Sequence, residues 1–438
     1  MDVVSAILYF FAQHWLIEVI LVISGIFGLL TATFSLFSFL GDHPAKRWAT
    51  ELPSVESETF LSVLSRLVNV PAERGEAIKI LNNGDEFWPA LFAAMESAQK
   101  TINFTVYIWE PGKISDKIFD VLIKKAAAGV EVRILLDGIA GARTPLDRIA
   151  ELEKVGGLVA RFRAPRFGVL TRLHRRNHRR AIVIDGTTGF TGGMAVGDQW
   201  LGNANKPDEW RDMMFRVSGN MAQSLQGAFA QLWAGASGEI LAGEKFYPKT
   251  AASDYPSKYI SIASSPSADT QPLPRFYWFS ISAAKKTIYL IYPYVVPDKY
   301  IRNALAERAK AGVDVRILSP SHRIDAQPIR WAYHSYYDAF LQSGIRIYEY
   351  QPAKLHSKAI IIDGKWSIIG SANMDIRSKE FNEENVLGVL DASFASDLEK
   401  IFFSDLKHAE EVRLGKWKKR GMFIRVFERL FLAFIKQY

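Results

Sequence analysis

The chain has 438 residues, which is too long for one small hydrophobic core and predicts two or three domains. It contains no cysteine, so disulfides, zinc–thiolate sites and thiol catalysis are excluded. The formal net charge of +8 favours anionic partners such as acidic lipid or nucleic acid.

An apolar stretch opens the chain. Residues 15–40 carry a single charge, Glu18, and are long enough as a helix to cross a bilayer with some tilt. A cleaved signal peptide and a buried core helix are the alternatives, but residues 1–15 lack the Lys or Arg of a signal peptide. We predict a transmembrane anchor over residues 1–45. Because Lys46 and Arg47 follow the span and Asp2 precedes it, the rest of the chain is expected in the cytoplasm, beneath the inner or plasma membrane.

The middle of the chain repeats itself. Three segments of the first part recur in the same order in the second, with His178 and His356 at matching positions. The pairs are SAQKTINFTVYIW (97–109) with SAAKKTIYLIYPYV (282–295), KAAAGVEVRILLDG (125–138) with ERAKAGVDVRILSP (307–320), and NHRRAIVIDG (177–186) with LHSKAIIIDG (355–364). Each copy reads strand, helix, strand, which implies a parallel crossover. We predict two α/β domains, at residues 46–250 and 251–412.

The second histidine strand begins with two polar residues. Residues two apart on a strand share a face, so His356 and Lys358 should point the same way. Asp363 lies an odd number of positions from His356, so alternation does not place it on that face and favours an anchoring role at the strand end.

The strands that follow add further polar groups. Ser371 and Asn373 are again two apart, and Glu384 supplies an acid that could orient an imidazole. Together the groups offer an acid–base or nucleophilic centre with donors for an anion. Surface polar residues at strand ends are the alternative, which the second copy around His178 disfavours.

The two histidine segments resemble a known signature. HSKAIIID followed by GSANMD is similar to the HxK(x)4D(x)6GSxN motif of the phospholipase D superfamily, and HRRAIVID resembles its first copy. With the anchor and the basic C-terminus, residues 75–410 look most like bacterial cardiolipin synthases of that superfamily. The resemblance implies two similar α/β domains packed about a pseudo-two-fold axis, with one shared active site and neither metal nor cofactor.

The resemblance also implies roles for individual residues. His178 would attack phosphorus to form a phosphohistidine and His356 would protonate the leaving alcohol, although the near symmetry leaves the opposite order open. Glu384 would orient His356, and Asp212 would orient His178. The other motif residues expected at the site are Arg180, Lys358, Asp185 and Asp363. The expected phosphate ligands are Ser371, Asn373, Arg180 and Lys358.

The first copy departs from the signature. Arg180 stands at the lysine position, and Gly193 and Ala195 stand at the serine and asparagine positions. Arginine keeps the charge but is bulkier than lysine. This half is therefore expected to contribute mainly its histidine and the guanidinium, and a degenerate, weakly active site is the alternative.

Two basic segments remain. Residues 161–180 hold eight arginines. This segment could be a solvated basic loop or a nucleic-acid-binding patch, or it could form an electropositive entrance for lipid headgroups. Because few stacking aromatics accompany them, nucleic acid is not the expected partner. Residues 413–438 form a basic, amphipathic segment, expected either to pack on the domain or to lie on anionic lipid.

These observations predict a single-pass membrane phosphatidyltransferase. It would join two phosphatidylglycerol molecules, or a related donor and alcohol, and release glycerol. Hydrolysis of phospholipids at the same histidines is one alternative, and a non-catalytic or nucleic-acid-binding protein of the same fold is another. The anchor favours lipid as the substrate, and the sequence leaves the oligomeric state open.

Overall fold

The computed structural model describes residues 51–164, 174–250, 254–266, 272–324 and 327–434, with residues 2, 4, 19, 22–30 and 33 of the leading segment. The chain divides into two compact units, one of residues 1–50 and 433–438 and the other of residues 51–432. Most residues of the predicted anchor lie outside the described part of the chain. Its described run, residues 22–30, is helical. Within the described ranges, no helix combines the length and apolarity needed to span a bilayer.

The first half of the larger unit builds a seven-stranded sheet of order β2-β9-β7-β6-β3-β4-β5. The strands of the first half, of which β1 and β8 lie outside this sheet, are β1 (Glu73–Arg74), β2 (Lys79–Asn82), β3 (Thr101–Val106), β4 (Glu131–Asp137), β5 (Leu158–Phe162), β6 (Ala181–Ile184), β7 (Thr188–Gly192), β8 (Trp210–Arg211) and β9 (Met213–Ser218). The helices are α1 (Phe60–Val68), α2 (Asn83–Ser97), α3 (Lys113–Ala127), α4 (Leu146–Lys154) and α5 (Gly219–Ser237). Strands β3, β4 and β5 run parallel, so the predicted helical crossover is confirmed.

The second half builds a nine-stranded sheet of order β1-β10-β17-β16-β15-β11-β12-β13-β18. Its own strands are β10 (Lys258–Ser264), β11 (Thr287–Ile291), β12 (Asp314–Pro320), β13 (Arg346–Tyr350), β14 (Lys354–Leu355), β15 (Ala359–Ile362), β16 (Trp366–Gly370), β17 (Glu384–Leu390) and β18 (Ala409–Glu411). The helices are α6 (Pro272–Ser282), α7 (Lys299–Lys310), α8 (Gln327–Gln342), α9 (Ile376–Glu380) and α10 (Ala392–Leu406). Strand β1, from the predicted first domain, pairs with β10 in this sheet.

The two sheets share one strand order. Without the edge strands β1 and β18, the series β10-β17-β16-β15-β11-β12-β13 matches the first sheet strand for strand. The strands that follow the histidines, AIVI in β6 and AIII in β15, are wholly buried, as expected for central strands covered on both faces. The repeat seen in the sequence is therefore a repeat of whole sheets.

The halves contact each other through reciprocal main-chain pairs. Strands β8 and β14, one from each half, form a parallel two-stranded sheet that joins Arg211 to Leu355. A parallel bridge joins Asn177 of the first half to Glu383 of the second. The same contact thus occurs twice with the halves exchanged, as in the interface of a two-fold dimer. These two contacts bring each histidine segment beside the acid-bearing strand of the other half.

The basic C-terminal segment contains two described helices, α11 (Leu414–Lys418) and α12 (Met422–Phe434), and its last residues, 435–438, lie outside the described part. Helix α12 rests on α8, where the rings of Phe427 and Phe431 lie 4.9 and 4.7 Å from that of Trp331. One face of the segment therefore packs on the larger unit.

Candidate active site

The two catalytic candidates occupy equivalent positions at the interface between the halves. The backbone N–H of His178 donates to the carbonyl of Glu383 at 3.0 Å, and that of His356 donates to the carbonyl of Arg211 at 2.8 Å. His178 is 6 % exposed to solvent and His356 is 7 % exposed. Each histidine is thus fixed by the main chain of the opposite half, directly before that half's acid.

The acids hold the imidazoles in crossed pairs. His178 Nδ1 lies 2.8 Å from Glu384 Oε1, and His356 Nδ1 lies 2.7 Å from Asp212 Oδ2. The predicted pairing, with Glu384 on His356 and Asp212 on His178, is therefore wrong. Both acids do orient a histidine, but each serves the histidine of the other half. Because a carboxylate engages each Nδ1, Nε2 is the nitrogen of each ring to which we assign the chemistry.

Burial and positive neighbours set the charge of the first pair. Burial, with the charges of Arg180, Lys358 and His356, holds the pKa of His178 well below its ordinary value of 6.5. Burial raises the pKa of Glu384 to about 7. Neutral His178, with Nδ1–H donating to the acid, therefore leaves an unprotonated Nε2 that suits a nucleophile. The charges of Lys358 and His356 lower the pKa of this ring, so the second motif lies near the first.

The raised pKa of Glu384 predicts a pH-dependent effect on stability. A carboxyl whose folded-state pKa is about 7, above the ordinary 4.5, adds stability that is complete below pH 4.5 and lost as the pH rises through 7. Glu384→Gln removes this titration. The free energy of unfolding of the variant, relative to the unmodified chain, should rise by about 2–3 kcal/mol between pH 5 and pH 8. Urea unfolding in detergent at both pH values measures it, and a difference that does not change with pH would contradict it.

The two motif cations also occupy equivalent positions. Lys358 Nζ donates to the carbonyl of His356 at 2.5 Å, and Arg180 Nη1 donates to the carbonyl of His178 at 2.6 Å. Lys358 Nζ lies 3.3 Å from His356 Nε2, so its charge is beside a reacting nitrogen. Arginine in the first copy therefore makes the main-chain contact that lysine makes in the second.

The motif aspartates lie away from the site. Asp363 accepts the backbone N–H groups of Lys286 and Thr287 at 2.7 and 2.9 Å, at the end of β15 opposite His356. Asp185 accepts those of Lys100 and Thr101 at 2.7 and 2.8 Å. The expectation that Asp185 and Asp363 act at the catalytic centre is therefore wrong. They anchor strand ends, as residue alternation indicated for Asp363.

Ser371 supports the acid Glu384. Its hydroxyl donates to Glu384 Oε2 and accepts the N–H of Asn385. Ser371 therefore positions the acid in this structure, and its role as a phosphate ligand stays a prediction. Asn373 lies two residues further on and its buried Oδ1 has no hydrogen-bond partner. Asn373 as a phosphate ligand stays a prediction.

The first half supports its acid differently. A side chain at Gly193 would place Cβ 2.2 Å from Asp212 Oδ1, so the serine of the signature has no room there. The indole N–H of Trp200 donates to Asp212 Oδ2 at 3.1 Å, and the N–H of Met213 donates to Oδ1 at 2.8 Å. An indole therefore takes the place of the missing hydroxyl, and the departure at Gly193 does not leave this half without a donor.

Trp200→Phe should reduce turnover roughly 10- to 100-fold, because a buried carboxylate loses one donor. Trp210→Phe is the matched control, since Trp210 also lies against His356, with ring centroids 5.1 Å apart, and its replacement leaves the Trp200–Asp212 bond in place. The test compares kcat for an ordinary phosphodiester substrate with kcat for an analogue whose activated leaving group needs no proton. If Asp212 acts through His356, the analogue should largely restore turnover by the Trp200 variant. An equal loss of kcat with both substrates would oppose this role of Asp212.

Two arginines of the arginine-rich segment lie in the interior. Residues 165–173 lie outside the described part, while Arg176 and Arg179 are buried. Arg176 Nη1 pairs with Asp137 at 3.2 Å, and Arg179 Nη2 pairs with Glu383 at 3.3 Å. These two arginines are therefore interior structural groups, contrary to both interpretations of the segment as a solvated surface.

Sequence reasoning missed residues that no motif signals. The ring of Tyr107, beyond the end of β3, lies 4.7 Å from that of His178. Asn385 accepts the N–H of Arg180 at 2.9 Å and donates to its carbonyl at 3.0 Å, which fixes the first motif from the second half. Adjacency to Glu384 was the one available signal for Asn385. Within the described residues, no cluster of three or more His, Asp or Glu is arranged to hold a metal ion.

Comparison with known proteins gives the site its context. The family model described as "Cardiolipin synthase, PLD-like domain" matches residues 91–233 and 279–406, more than half of the chain. Phosphatidylserine synthase of Haemophilus influenzae Rd KW20 has a similar fold, with a TM-score of 0.65 and 14 % identity over 86 % of this chain and 98 % of that one. The fold and the repeated histidine motifs therefore define an enzyme of the phospholipase D superfamily.

Curated relatives narrow the assignment. Cardiolipin synthase 2 of Bacillus anthracis is 34 % identical over 352 residues, which are 80 % of this chain and 68 % of the relative. Cardiolipin synthase of Geobacillus sp. strain WCH70 is 33 % identical over 395 residues, or 89 % and 78 %. The chain belongs to the family of cardiolipin synthase phospholipase D-like domains.

Proposed function

We propose that this protein is a membrane-bound phosphatidyltransferase that makes cardiolipin from two phosphatidylglycerol molecules and releases glycerol. The observation that carries the proposal is the crossed pairing of His178 with Glu384 and of His356 with Asp212. It supports a single centre in which two oriented imidazoles serve one phosphorus atom. The names of the curated relatives support the choice of lipid.

The first step transfers the phosphatidyl group to the enzyme. Nε2 of neutral His178 attacks phosphorus, and the bond to the leaving glycerol oxygen breaks as His356 supplies a proton to that oxygen. Lys358 and Arg180 stabilise the negative charge on the phosphoryl oxygens. The product of this step is a phosphohistidine that retains the diacylglycerol.

The second step reverses the proton transfer. His356, now neutral, takes the proton from a hydroxyl of the second phosphatidylglycerol, and the oxygen attacks phosphorus. The N–P bond breaks, His178 is released neutral, and the two phosphatidyl groups share one glycerol. Water in place of the second alcohol would give phosphatidic acid, so the acceptor decides between transfer and hydrolysis.

The test incubates the purified full chain with phosphatidylglycerol in mixed micelles, with and without a chelator. Cardiolipin and glycerol in equal amounts are the expected products, and the chelator should leave the rate unchanged because the paired imidazoles and cations supply the catalytic groups. Phosphatidic acid as the main product would identify a hydrolase instead. Absence of both products would refute the proposal.

A further inference from the structure

A patch of exposed apolar side chains lies at the start of α12. Four large apolar residues in five consecutive positions are exposed by 52 to 85 %, and Phe423 is the most exposed. The patch, called here the terminal helix face, consists of Met422, Phe423, Ile424 and Val426. Contiguous apolar surface of this kind marks a site of interaction.

The other side of the same helix is firmly held. Glu428 is 2 % exposed and forms an ion pair with Arg420, and its carboxylate lies 3.4 Å from His334 Nδ1 of α8. The Trp331 ring supports the helix through its contact with Phe431. The terminal helix face is therefore presented outward by a docked helix, and its exposure does not come from a helix that failed to pack.

The charges around the patch identify its partner. Residues 413–427 contain six Lys or Arg and no Asp or Glu. The exposed ones are Arg413, which pairs with Glu411 at 3.3 Å, and Lys416, Lys418, Lys419 and Arg425. Apolar side chains flanked by cations on a surface helix suit the boundary between headgroups and acyl chains of an anionic bilayer. A second copy of the same basic surface would instead be repelled.

We propose that the terminal helix face inserts into the surface of an anionic bilayer and holds the second half of the chain against it. This contact is a second attachment, separate from the predicted anchor at residues 15–40. It goes beyond the proposed reaction, because it requires only that the membrane be negatively charged and does not depend on which lipid reacts.

The absence of cysteine makes a direct test available. Phe423→Cys in the full chain takes a single nitroxide spin label, and Arg425→Cys on the basic flank of the same helix is the matched control. Both proteins are reconstituted in phosphatidylcholine vesicles with or without phosphatidylserine, an anionic lipid that is not the proposed donor. Collisions with oxygen and with a water-soluble nickel chelate report the depth of each label.

With phosphatidylserine, the label at 423 should become accessible to oxygen and shielded from nickel, while the label at 425 stays accessible to nickel. A label at 423 that remains open to nickel would overturn the proposal. So would protection from both reagents with dipolar broadening between labels, since that result would mean a second copy covers the patch. Failure of cardiolipin synthesis in the micelle assay would leave these outcomes unaffected.

A second variant separates docking from folding. Phe423→Glu should raise the concentration of anionic vesicles needed for half-maximal activity roughly tenfold. Turnover of a short-chain, monomeric donor should be unchanged, because residue 423 is outside the catalytic centre. Equal loss on both substrates, or no loss on vesicles, would contradict the docking role.

Discussion

His178→Ala should lower cardiolipin formation by about 10⁴-fold or more, because it removes the atom that forms the bond to phosphorus. His356→Ala should cause a loss of about 10²–10⁴-fold, since general acid and base catalysis are removed while the nucleophile remains. Product formation from radiolabelled phosphatidylglycerol measures both. Circular dichroism of the purified variants controls for folding, which these buried side chains could disturb.

The two losses differ in how they respond to the leaving group. A phosphatidyl donor with a nitrophenol leaving group needs no proton, so it should restore release of the leaving group by the His356 variant but not by the His178 variant. The opposite pattern would exchange the two roles. Restoration of both variants, or of neither, would contradict a division into nucleophile and acid.

Glu384→Gln and Asp212→Asn should each reduce turnover by roughly 10²–10⁴-fold, because an amide no longer stabilises the tautomer and charge of its histidine. The crossed pairs predict how these losses are grouped. Asp212→Asn should be restored by the nitrophenol donor together with the His356 variant, while Glu384→Gln should stay impaired together with the His178 variant. The opposite grouping would mean that each acid serves the histidine of its own half.

The motif aspartates provide matched controls for the acids. Asp185→Asn and Asp363→Asn remove the same kind of charge, but both residues accept backbone N–H groups at the far ends of their strands. We expect lower thermal stability with kcat largely retained in the protein that remains folded. A loss of kcat comparable to that of Asp212→Asn would place these aspartates in the chemistry.

Local rules of sequence accounted for much of the fold and part of the site. Period-two alternation set His356 and Lys358 on one face and placed Asp363 apart, and the repeat predicted matching strands in both halves. The exchange of acids could not be read this way, because spacing along the chain describes one half at a time. Glu384 and Asp212 reach the opposite histidines only through the bridge at Glu383 and the pairing of β8 with β14.

Substitutions within the signature were harder to interpret than the signature itself. Gly193 looked like a lost donor, whereas the structure places the Asp212 carboxylate in the space a side chain would need and supplies an indole N–H from Trp200. The run of arginines looked like a surface, but Arg176 and Arg179 find acidic partners in the interior. Both errors arise because a linear pattern does not show which groups from distant segments fill the space around a residue.

The reciprocal main-chain contacts bear on how such a chain can originate. Neither half contains a complete histidine–acid dyad, because His178 pairs with Glu384 of the second half and His356 pairs with Asp212 of the first. A two-fold pair of identical single-copy subunits would complete both dyads in the same way. Joining the two copies in one chain allows them to differ, as Arg180 and Lys358 do.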